Sequence, residues 1–140
     1  MELVAIRRVI LAVLLLGMSG LLIELSLLAH YEDVKQWIPL AALAAGISSV
    51  IFQLVHPRAW TLGLVRCVMV LFVVCGLLGM YFHYRGSREF QLEMDPSMSG
   101  RALVWKVLHA KSPPTLSPGA MVQMGILGLG YAYLRRTPRT

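Results

Sequence analysis

The chain has 140 residues, a net charge of +6, 57% hydrophobic residues and only 14% charged ones, with a mean hydropathy of +0.68. Soluble domains average about 25% charged residues, and a water-surrounded core of this size could not hide so much apolar surface. A nucleic-acid module is also excluded, because the basic residues flank apolar runs instead of gathering on a polar face.

Four apolar runs follow one another: Val9–Ala29, Trp37–Val55, Cys67–Tyr84 and Pro118–Leu134. Each approaches the ~20 residues that a helix needs to cross the hydrocarbon of a bilayer. The first run follows Arg7-Arg8 and is longer than the ~7–15 apolar residues of a signal peptide, so it reads as a retained helix. Gly17, Gly20 and Glu24 fall on one face of it. A carboxylate within lipid is costly and is expected to face protein or water. The spacing therefore predicts Glu24 in a packing seam. Gln123, at matching depth on the fourth run, is its candidate hydrogen-bond partner. Exposure of Glu24 to lipid would remove both a buried packing role and a proton- or cation-binding role.

In the second run, Ala41, Ala45 and Ser49 recur at four-residue spacing beside Ala42 and Gly46, and Pro39 lies near its start. Small residues let membrane helices approach closely, which predicts a central position for this helix. His56-Pro57 ends the run, since a residue before proline leaves the helical region. The third run carries Cys67 and Cys75, which lie ~12 Å apart along one helix and cannot bridge each other. His30-Tyr31 and His83-Tyr84 close the first and third runs at the same side. Tyrosine is favoured at that depth.

Residues 85–117 form the long connection. Glu89 to Asp95 alternates polar and apolar residues, the period of a strand, which predicts a short extended segment presenting Phe90, Leu92 and Met94. Gly100 to Lys111 is amphipathic at helical spacing. Leu103, Val104, Trp105, Val107 and Leu108 share a wide face opposite Lys106 and His109, as in a helix lying in the membrane interface. Pro113-Pro114 stops that helix, and Ser117-Pro118 opens the fourth run. Gly125, Gly128 and Gly130 form a packing stripe within it.

The expected fold is an all-α membrane protein in a single domain. It is a four-helix transmembrane bundle (9–29, 37–55, 67–84 and 118–134) with a short extended segment and an interfacial amphipathic helix in the outer 85–117 loop. Arg7, Arg8, Arg58, Arg66, Arg135, Arg136 and Arg139 mark the side of both termini as cytoplasmic, in a bacterial inner membrane. No phosphate-binding or hydrolytic motif occurs, and no acid and base residues converge in the loop. The chain therefore reads as non-enzymatic and without a required cofactor. It reads as an accessory or structural subunit in contact with the lipid bilayer and with other membrane subunits or further copies of itself. Phe90, Leu92, Met94, Trp105 and Leu108 are the expected partner contacts. One alternative is a small transporter or channel component that uses Glu24. Another is a haem or copper redox subunit that uses His30, His83, Met94 and Met98, imidazole and thioether ligands that suit those groups.

Overall fold

Helix is the dominant local solution, because these runs are rich in Leu, Ala and Met and all their backbone groups can bond internally. The computed structural model describes residues 2–110 and 115–135. The expected Pro113-Pro114 stop, Lys111 and the basic residues Arg136 and Arg139 lie outside them. The described residues form α1 (Glu2–Leu27), α2 (Val34–Val55), α3 (Ala59–Met94), α4 (Gly100–Leu108) and α5 (Gly119–Leu134), with no strand among them. Three of these helices, α1, α2 and α3, are long and apolar enough to cross a membrane; α5 is apolar and shorter.

The helix ends follow from local chemistry. At the end of α1, Ala29 adopts a left-handed φ of 51° and His30 N–H bonds Leu25 O at 2.9 Å, the Schellman geometry normally built on glycine. Gln36 Oε1 accepts from the backbone N–H of Glu32 and Asp33 at 2.9 and 3.2 Å, tying the entry of α2. α2 therefore starts three residues before the apolar run and carries Pro39 inside it.

The largest departure from expectation is α3, whose 36 residues make it ~54 Å long. The 89–94 segment is its last turns, so the expected extended segment is corrected to helix. Continuing an existing helix adds one backbone bond per residue with no new nucleation cost. A lone strand would leave its backbone groups unpaired. Seven alternating residues could not outweigh that difference. Asp95-Pro96 ends the helix, and Asp95 accepts from Ser97 N–H at 3.1 Å and Ser97 Oγ–H at 2.6 Å. Those two bonds hold the Asp95 carboxyl below the usual carboxylate range.

α4 then folds back onto the end of α3. Leu103 and Val107 are its buried face, and Thr115 Oγ–H donates to Val107 O at 3.0 Å at its last turn. α1 packs on α2 and α5, and α3 packs on the same two helices. Leu14, Met18, Leu43, Val50, Val65, Met69, Phe72 and Met121 fill the space between them.

The closest approach is between α3 and α5. A Cβ on Gly125 would lie 2.7 Å from Met69 O and 3.0 Å from Val73 N, and one on Gly76 would lie 2.9 Å from Val122 N. These contacts are to backbone and leave no room for a side chain. The small-residue stripe of α2 does less than its spacing predicts. Ala41 and Ala45 are exposed, while Gly46 and Ser49 are buried, with Gly46 against Phe72 and Met18.

Candidate functional site

The polar groups of the molecule collect at its two ends. At the end where α1 stops and α5 starts, Tyr31 and Trp37 have ring centroids 6.2 Å apart. Lys35 Nζ lies 5.8 Å from the Phe82 ring centroid, linking α2 to α3. His30 is half-buried in the turn after α1. Burial, and then the charge of His83, hold its imidazole below the ordinary histidine value. His30 and His83 are thus electrostatic neighbours, as their matching depth suggested.

Among the described residues, no group of three or more His, Cys, Asp and Glu side chains converges as a metal site. Met94 is exposed on the last turn of α3 and Met98 is half-buried beyond the Asp95-Pro96 break, so one helical face does not carry both sulfurs.

Glu24 is exposed, and so is Gln123. No hydrogen bond joins them, and the Glu24 carboxylate has no partner among the described residues. The expected pairing is therefore corrected. α1 turns Leu14, Met18, Leu21 and Leu25 toward the core. Gly17 meets Met124, but Gly20 has nothing within 4 Å of a built Cβ. Four large side chains bury more apolar surface than the glycine line could, and that rotation carries Glu24 outward.

Of the expected contact residues, Phe90 is 58% exposed, Met94 70%, Trp105 67% and Leu108 43%, whereas Leu92 is half-buried. Ser87 is buried, and its hydroxyl has no hydrogen-bond partner among the described residues.

The opposite end holds a denser polar network. Gln53 and Thr61 are buried. The Thr61 hydroxyl reaches Gln53 Oε1, His56 O at 2.8 Å and Arg58 O at 2.9 Å, and accepts from Arg58 N–H at 3.1 Å. This node closes the α2–α3 turn. Arg66 donates to Ala132 O at 3.3 Å. Arg135 donates to Tyr131 Oη at 3.1 Å and to Gln53 O at 3.5 Å.

Beside this network lies an open cleft of about 160 Å³ between α1, α2 and α5. α1 supplies Val4, Arg7, Arg8 and Leu11, and the facing wall carries Leu54, Tyr131 and Arg135. Arg7 and Arg8 have no ion-pair partner among the described residues. Compared with known protein families, curated proteins and solved structures, the chain matches none.

The three arginines were legible as basic flanks of the first and last runs. Their convergence was not, because it depends on which helices are neighbours. Tyr131, four residues before Arg135 and on the same helical face, was the available signal for a polar cluster there.

Proposed function

We propose that this chain is a small, non-enzymatic accessory or structural subunit of a larger membrane complex. In this reading it is a four-helix transmembrane bundle in a bacterial inner membrane, with both termini cytoplasmic and α4 lying in the outer interface. The observation that carries the subunit reading is the exposed carboxylate of Glu24. If Arg8 lies at one membrane boundary, a ~30 Å hydrocarbon layer extends ~20 residues at 1.5 Å each, to Leu28. Glu24 then lies ~6 Å inside it. Intramembrane charges face protein or water, and this chain's own helices leave Glu24 bare. A partner surface that supplies a donor satisfies it. The apolar side chains Ile23 and Leu27, 60% and 81% exposed beside it, suit the same contact.

The test is purification in mild detergent followed by mass measurement of the intact particle. The reading predicts a stoichiometric assembly, either with another membrane protein or with further copies of this chain, that Glu24→Leu weakens. A monodisperse single chain that carries only detergent and lipid would contradict it.

A further inference from the structure

The cleft at the end of the molecule where α1 begins and α5 ends differs from the rest of the surface in chemistry. Arg7, Arg8, Arg135 and Tyr131 line one opening, together with Val4 and Leu11. Arg135 is already oriented by its bonds to Tyr131 Oη and Gln53 O. Glu2 is the only acid on this stretch of α1, and it forms no ion pair with Arg7 or Arg8. The cleft is far larger than the ~30 Å³ share of a water molecule. An occupant that is anionic at one end and apolar at the other matches both kinds of lining, at a place where apolar helices end in a basic rim.

We propose that this cleft binds the phosphate headgroup of an anionic phospholipid. Arg7 and Arg8 hold the phosphate oxygens, Arg135 and Tyr131 close the other side, and the first acyl carbons lie along Leu11, on the lipid side of the arginines. Arginine suits this role because its planar fork binds phosphate in a bidentate manner. Basic pockets between membrane helices are recurrent sites for such lipids. The site is independent of whether α1 meets a protein partner through Glu24, which lies in the last turns at the other end of the same helix.

The test is lipid retention by the purified full-length chain, read by native mass spectrometry with phosphatidylglycerol and phosphatidylcholine at equal mole fraction. Phosphatidylglycerol should be retained preferentially. One basic residue near an anionic lipid contributes about fivefold. R7Q/R8Q should therefore lower phosphatidylglycerol retention roughly 25-fold, whereas Arg88→Gln, an exposed arginine far along α3, should leave it unchanged. Arg8→Gln alone, at an exposed position, should cost about fivefold and serves if the double variant does not fold. Retention that is equal for the two lipids, or equally sensitive to Arg88→Gln, overturns the proposal. Thermal stabilisation by millimolar inorganic phosphate that R7Q/R8Q abolishes, with no lipid preference, overturns it in favour of a free anion.

Discussion

The seam between α3 and α5 and the outward side of α1 are built from similar residues and do opposite things. In the seam, Gly76 and Gly125 sit so close to the facing backbone that a methyl group cannot be added, and Met69 and Phe72 beside it are fully buried. On α1 only Leu14 and Met18 are buried, and Gly20 faces open space. Both helices are apolar and glycine-bearing, so composition does not separate them. Whether each glycine has a backbone opposite it does. The seam holds this chain together, and the bare side of α1 is surface left for lipid or protein.

That contrast sets the order of expected effects on stability, followed by reversible unfolding in detergent. Phe72→Ala empties a fully buried site against Gly46 and should cost about 3–5 kcal/mol. Gly125→Ala forces the α3 and α5 backbones apart and should cost about 1–3 kcal/mol. Gly130→Ala, on the same helix with nothing within 4 Å, should be neutral or gain up to about 1 kcal/mol from helix propensity. Equal losses at Gly125 and Gly130 would break the comparison. On α1, Ala29→Gly should relieve the left-handed strain at the helix end and stabilise by about 1 kcal/mol; a loss there would show that the turn depends on the methyl group.

The smallest expected effect is on pH dependence. The His30 imidazole is held below its ordinary value, so the folded chain favours the neutral ring. The unfolded chain takes up a proton first as pH falls through ~6.5. The stability from this group is therefore fully present above that pH and is lost as pH drops through the folded value. A melting temperature lower at pH 5 than at pH 7.5, with the difference reduced in His30→Gln, is the expected outcome. The neighbouring His83 is the second cause of that depression, after burial, so His83→Gln should reduce the difference as well.

The helices themselves were legible from apolar run length, and α4 from the helical spacing of Leu103, Val104, Trp105, Val107 and Leu108, of which only Leu103 and Val107 are buried. The extended segment at 89–95 was misread because a seven-residue alternation was weighed without the helix that feeds into it. The face of α1 was misread for a related reason. Gly17, Gly20 and Glu24 do share a stripe, but a stripe says only which residues lie together, and not which neighbour they meet. Gly17 finds Met124; Gly20 finds nothing. The arginine cleft was invisible for the same reason, since its members are separated by most of the chain and become neighbours only when α1 packs on α5.

The central claim is that the Glu24 side of α1 is covered by protein. A photo-crosslinking residue placed at position 24 in the intact membrane, with another at the exposed apolar position 126 on α5 as reference, tests it directly. A discrete protein adduct at position 24, identified by mass as a second copy or another subunit and stronger than at position 126, is the predicted result. Lipid adducts alone at position 24 would contradict the account.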